Sequence, residues 1–195
     1  MSKILHKINK IELDTPCLVI DKSALEFNLN VMRQHSQNTQ VNIRPHVKTH
    51  KCSKLAKLQI EYGAIGISAA KVSEAQALID VGINNILITS PVITENKIRR
   101  LISCIKKAPE TIVVVDNEKN LHDLNEAGQT IQSKINVLVD LDSGIGRTGI
   151  KPENALSFAL KIGQFKWLNL MGIQCYAGNL QHITSMTRER VVHYR

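Results

Sequence analysis

Three polar clusters in this chain have residue types and spacings that could do chemistry. The first is Arg44-Pro45-His46-Val47-Lys48-Thr49-His50-Lys51, a lysine set among other cationic or protonatable side chains. An amine whose pKa is depressed by such a field is the form that attacks a carbonyl carbon and forms a Schiff base, and Arg44, Lys51, His46 and His50 would supply the field for Lys48. A solvated basic loop is the simpler reading of the same residues. His46 and His50 also have the HxxxH spacing of metal ligands, but no zincin glutamate accompanies them, so a structural role is expected for that pair. The second cluster, Asp140-Leu141-Asp142-Ser143-Gly144-Ile145-Gly146-Arg147-Thr148-Gly149, combines two carboxylates and an arginine with glycines that permit a tight backbone. An ion pair from Arg147 to Asp140 or Asp142 is its structural alternative. In the third, Gln174 to His182, the residues Gln174, Tyr176 and Gly178 alternate and should share one face of a strand.

Each cluster follows an apolar run. Residues 41–45, 64–69, 85–89, 111–116, 135–142 and 170–176 read as strands, and helical periodicity follows each of them at a repeat of about 25 residues. Such alternation describes an α/β protein with a parallel sheet. No GxGxxG follows the first strand and no GxxxxGK[ST] occurs, so dinucleotide-binding and P-loop readings lose their support. A (β/α)8 TIM-type barrel remains, and since that fold typically takes about 250 residues and eight strands, 195 residues with about six strand–helix units imply an incomplete one. Reactive side chains of such barrels lie at the C-terminal ends of strands, where all three clusters fall. Ahead of the repeat, 15–21 reads as a short apolar strand, with Asp21 capping a helix that carries Leu25, Leu29 and Met32.

Composition narrows the classes. With 43% hydrophobic and 22% charged residues the chain is neither disordered nor membrane-spanning, and 4% aromatics require a core of Ile, Leu, Val and Ala. The charge of +8 is scattered and lacks interleaved aromatics, so it suits an anionic small molecule better than nucleic acid. The opening residues are interrupted by His6, Lys7, Asn9 and Lys10 and lack a signal's apolar core, which implies a cytoplasmic protein without membrane attachment. The four cysteines form no CxxC pair and read as reduced thiols.

Taken together and in order, TPCLVID, RPHVKTHK, GISAAKVSEAQAL with GINNILITSPV, VDLDSGIGRTG and GIQCYAGNLQH resemble the D-threonine aldolase and D-serine dehydratase family, from Thr15 to His182. These are pyridoxal-phosphate enzymes with an alanine-racemase-type barrel. The resemblance implies that Lys48 holds pyridoxal 5'-phosphate covalently, that Arg147 faces the cofactor ring or an attached carboxylate, and that Gln174 and Tyr176 border it. GIQCYAGNLQH is closer to the aldolase branch, because the dehydratase branch tends to place tyrosines where Gln174 and Gln181 stand. The activity implied is cleavage of D-threonine to glycine and acetaldehyde. D-serine dehydration, amino-acid racemisation and non-catalytic cofactor binding by an inactive fragment are the alternatives. Residues 1–195 would then be the N-terminal barrel domain, truncated at its C-terminal end and without the C-terminal β-domain. A divalent metal ion would belong to the full-length protein, with its ligands beyond Arg195 and none within the chain. The partner would be a small D-amino acid substrate, with a homodimer as the assembly such enzymes often form. An open barrel would expose apolar edges and associate.

Overall fold

The computed structural model describes residues 9–182, and the chain divides into two compact units, Met1–Gln40 and Val41–Arg195. In the first, a 3-10 turn at Lys10–Glu12 precedes helix α1, Lys22–Thr39. The expected cap forms: Asp21 Oδ1 accepts from the Ala24 amide at 2.9 Å and from the Ser23 hydroxyl at 2.7 Å. The Ala24 amide is the main cause that holds the Asp21 carboxyl below its ordinary value. Residues 15–21 form no strand. Leu18, Val19 and Ile20 are exposed, and among the described residues no ladder partner lies beside them.

The second unit carries the repeat. Helix α2 (Ser53–Glu61) leads into β1 (Ile67–Ala69), α3 (Val72–Ile79), β2 (Ile86–Ile88), α4 (Glu95–Lys107) and β3 (Ile112–Val115). Next come α5 (Glu118–Ile131), β4 (Ile135–Asp142), α6 (Ala155–Ile162) and β5 (Leu168–Tyr176). The sheet has order β1-β2-β3-β4-β5 and every pairing is parallel. Among the described residues there are thus five ladder strands, one fewer than expected. The missing one is 41–45, which touches β1 through a single parallel bridge, His46 to Ser68. Its register explains why. The Ile43 carbonyl accepts from Ile65 and the Pro45 carbonyl from Ser68, so two steps on one side face three on the other, and Pro45 has no N–H to return.

One face of the sheet is dry. Ile67, Ile86, Ile88, Val113, Ile135 and Val137 are fully buried against α3, α4 and α5, whose Leu101, Leu121 and Leu124 are equally inaccessible. Burying each such side chain contributes about 1.5–3 kcal/mol, and aliphatic residues suffice because the helices cover the strands closely. The alternate positions, Ser68, Leu87, Val114, Leu138 and Asp140, look to the other, inner face.

Pairing between β4 and β5 shifts once. Val137 stands opposite Leu170 but Leu138 stands opposite Gly172, which leaves Met171 as an extra residue. Beyond that bulge Gln174 is opposite Asp140 and Tyr176 opposite Asp142, so all four share the inner face. At this edge the outer side is bare, with Ile173 62% and Leu156 73% accessible. No helix of the described residues is long and apolar enough to cross a membrane.

Candidate active site

Lys48 sits in a 3-10 turn, Val47–Thr49, just past the bridge to β1. Val47 is buried and pins the turn, while Lys48 itself is exposed. The turn is capped by an imidazole: the Lys48 amide donates to His46 Nδ1 at 3.1 Å. An accepting Nδ1 carries no proton, so the neutral ring bears its hydrogen on Nε2, which lies 3.1 Å from Thr89 Oγ1. That hydroxyl in turn donates to the Ala69 carbonyl at 3.2 Å. Burial first, and the Lys48 charge second, push His46 below the ordinary imidazole value, with Glu74 opposing.

The neighbours expected to act on Lys48 are engaged elsewhere. Arg44 turns back to the start of β2, where its Nη1 donates to the Asn85 carbonyl at 3.0 Å and side-chain oxygen at 2.8 Å. Lys51 pairs with Glu74 at 3.6 Å. His50 accepts from the Cys52 amide through Nδ1 and meets Gln59 through Nε2. His46 and His50 each stabilise a local turn through an accepting Nδ1.

The glycine-rich segment folds around one carboxylate. Asp142 Oδ1 accepts from the amides of Gly144, Ile145 and Gly146 at 2.9–3.0 Å, and its Oδ2 accepts from Gly146 at 3.1 Å. These bonds, Gly146's foremost, hold the Asp142 carboxyl below its usual range. The segment returns onto β4 through Ile150, whose amide donates to the Asp140 carbonyl and whose carbonyl accepts from the Asp142 amide. Gly149 makes that return possible: its φ is +100°, and a Cβ there would stand 2.5 Å from the Asp142 amide nitrogen. With Asp142 committed to the loop, Arg147 forms no ion pair with either aspartate. Its guanidinium lies 5.2 Å from the Tyr176 ring centroid, and Lys48 Nζ lies 5.4 Å from the same centroid. Both separations are within cation–π range.

Gln174 lies one strand step deeper than Tyr176 on the inner face. Its Nε2 donates to Asp140 Oδ1 at 2.8 Å and to the Thr89 carbonyl at 3.2 Å. Asp140 is 2% accessible, and its Oδ2 has no hydrogen-bond partner among the described residues. Lys48, Arg147 and Tyr176 are thus brought together, and Gln174 is tied to the same region by Thr89 and Asp140. Sequence reasoning missed Thr89, the capping role of His46 and the burial of Asp140. A signal for the last was present: a charged residue inside VLVDLD, at the parity opposite to Val137 and Val139, is a costly placement that implies a partner. Two cations over one ring suit a flat anionic molecule. Among the described residues no group of three or more His, Cys, Asp or Glu could hold a metal ion. The metal ligands expected past Arg195, and the helix expected near the chain's end, lie outside the described residues.

Comparison with known proteins is consistent across sequence and structure. The family model described as alanine racemase, N-terminal domain, matches residues 20–193. A D-threonine aldolase from an Arthrobacter species is 36% identical over 87% of this chain and 45% of its own length. A 3-hydroxy-D-aspartate aldolase from Paracoccus denitrificans is 34% identical over 93% of this chain and 47% of its own. Among solved structures, D-threonine aldolase from Filomicrobium marinum superposes with a TM-score of 0.85 at 36% identity, over 88% of this chain and 47% of that one. The chain therefore spans about half the length of the curated relatives it matches.

Proposed function

The chain belongs to the alanine racemase N-terminal domain family, and from that membership we propose that residues 1–195 form the N-terminal barrel part of a pyridoxal-phosphate lyase acting on a β-hydroxy-D-amino acid. D-Threonine is the proposed substrate, with glycine and acetaldehyde as products. The observation that carries the reading is the convergence of Lys48 Nζ and the Arg147 guanidinium on the Tyr176 ring at the C-terminal end of the sheet.

These residues fit pyridoxal phosphate. A primary amine within reach of a strand-end shelf, an arginine held by a preorganised loop and an aromatic wall are the groups a planar anionic pyridine aldehyde needs, and the unpartnered Asp140 Oδ2 leaves one buried acceptor for it. When bound, the cofactor supplies an electron sink for the bonds at the substrate's Cα. Lys48 would hold it and, once free, keep a proton at Cα. Arg147 would face the cofactor's oxygen substituents, and its anchorage through Asp142 spares it from reorganising. Tyr176 would orient both cations, and Gln174 with Tyr176 would border the cofactor. For aldol cleavage the β-hydroxyl proton must pass to a base as the Cα–Cβ bond breaks, and a proton must be delivered to Cα in place of Cβ. Gln174 is the residue by which the resemblance favours the aldolase branch over the dehydratase; here its amide donates to Asp140 and to the Thr89 carbonyl. In the whole protein a divalent ion, held outside residues 9–182, would lower the pKa of that hydroxyl. We place the protein in the cytoplasm as a homodimer.

The test uses the full-length protein. Borohydride reduction in the presence of pyridoxal phosphate, followed by peptide mapping, should label Lys48, and Lys48→Ala should lose the visible cofactor band. With a divalent ion added, D-threonine should yield glycine faster than D-serine yields pyruvate. A label on another lysine overturns the site, and the reverse rate order assigns the dehydratase reaction instead.

A further inference from the structure

Building on the reading of Lys48 as the cofactor lysine, we propose that His46 is its positioning residue: a neutral, Nε2-protonated imidazole that ties the Lys48 amide to Thr89 and releases the lysine's turn when protonated. Besides this cap the Lys48 turn is held by the Thr49 hydroxyl, which donates to the His46 carbonyl at 3.1 Å, and by Val47. Val47 is buried and its carbonyl accepts from His50 at 3.2 Å and Lys51 at 2.7 Å, but the Lys48 amide has His46 Nδ1 as its acceptor. The same imidazole reaches Thr89, whose hydroxyl is fixed by the Ala69 carbonyl and whose own carbonyl accepts from Gln174. Gln174 continues to Asp140, so one hydrogen-bonded path runs from the backbone of Lys48 to the buried carboxylate on β4.

The direction of the His46–Thr89 bond follows from the first, because an accepting Nδ1 leaves the ring hydrogen on Nε2. A proton on Nδ1 would turn its only acceptor into a donor aimed at the Lys48 N–H, and the cap would be lost. The charged groups facing His46 are Lys48 on its own turn and Glu74 on α3, the latter already paired with Lys51. Thr89 after β2 and Ser68 on β1 are neutral. The neutral ring is therefore the favoured form at ordinary pH, in agreement with the downward displacement of its titration. As pH falls through that depressed range the turn should loosen, in addition to the ordinary protonation of the Lys48 amine.

Two near-isosteric substitutions separate the bonds. His46→Asn keeps an oxygen acceptor near the Nδ1 position and cannot titrate, whereas His46→Gln reaches towards Thr89 and leaves the Lys48 amide uncapped. In the full-length apo protein two quantities are measured between pH 5 and 8. One is deuterium exchange of residues 46–50, corrected for intrinsic rates, and the other is the rate of covalent capture of added pyridoxal phosphate, in which Lys48 Nζ bonds to the aldehyde carbon and water leaves. His46→Asn should keep the exchange protection of the Lys48 amide above pH 7 and lose the part of the acid fall that belongs to His46. His46→Gln should capture about fivefold more slowly and exchange freely at every pH, the usual consequence of losing one cap. An unchanged acid profile in His46→Asn, or wild-type capture by His46→Gln, overturns the proposal. If borohydride trapping instead marks a different lysine, the reading of Lys48 fails, and the exchange data still decide whether His46 holds the turn.

Discussion

The bulge at Met171 decides which side chains of β5 face Lys48, and two single-residue deletions test that directly. Deleting Met171 removes the extra residue and nothing else from the ladder: Leu170 stays opposite Val137, the next residue stays opposite Leu138, and Gln174 and Tyr176 keep their partners Asp140 and Asp142. Met171 is 55% accessible, so about half of the 1.5–3 kcal/mol available to a fully buried methionine is at stake, about 1 kcal/mol. Deleting Cys175, also exposed on the same strand, cannot be absorbed without loss. If the bulge persists, Tyr176 moves to the position opposite Leu141 and faces outward. If the bulge is resorbed, Tyr176 stays but Ile173 takes the place of Gln174 opposite Asp140. The first outcome removes two cation–π contacts of about 0.5–1 kcal/mol each. The second removes a hydrogen bond to a buried carboxylate, about 1.5–3 kcal/mol. Cofactor capture by the full-length protein should fall about five- to thirtyfold in the first case and about tenfold or more in the second, whereas the Met171 deletion should leave it within about twofold. Denaturant midpoints and the pyridoxal-phosphate capture rate measure the two effects side by side. If deleting Met171 damages capture as severely as deleting Cys175, the register argument is wrong.

Two further outcomes follow from the same geometry. Arg44→Ala should cost about 1–3 kcal/mol in chemical denaturation, because the Asn85 carbonyl and amide lose their half-buried partner, while cofactor capture at Lys48 stays within twofold; a large change in capture at unchanged stability would restore Arg44 to the lysine's field. For Asp142 the folded carboxyl is depressed, so its grip on the loop is fully present above the unfolded value of about 3.9 and is lost as pH falls through the lower folded value. Amide resonances of Gly144 and Gly146 should accordingly hold their positions at pH 5 and move only below pH 4, and movement centred near pH 5 would contradict the depression.

How far the sequence reached depended on whether local pattern or long-range register controlled each feature. The run INVLVDLD announces β4 with its bounds because a strand buried by helices is apolar at every second position and ends where the glycines begin. Asp21 announces α1 because a cap acts over three residues. Residues 41–45 have the composition of a strand and fail to form one because, besides Pro45, the defect lies in the partner: the additional step between Ile65 and Ser68 cannot be seen from residues 41–45 alone. Arg44 likewise has the right charge and neighbours in sequence, yet its side chain leaves by the opposite end of the sheet.

Strand β5 shows why partial success is informative. By strict alternation Leu168, Leu170, Gln174 and Tyr176 have one parity and should share a face, but Leu168 and Leu170 stand opposite the helix-facing Ile135 and Val137, while Gln174 and Tyr176 stand opposite the inward Asp140 and Asp142. The inference that Gln174 and Tyr176 share a face held because both lie beyond the bulge, where the period of two is intact. The apolar half of the strand is selected for packing against α5 and α6, and the polar half for the inner face. A single extra residue lets one strand satisfy both requirements. Lys48, brought to Tyr176 from a turn more than a hundred residues earlier in the chain, depends on that residue as much as on its own motif.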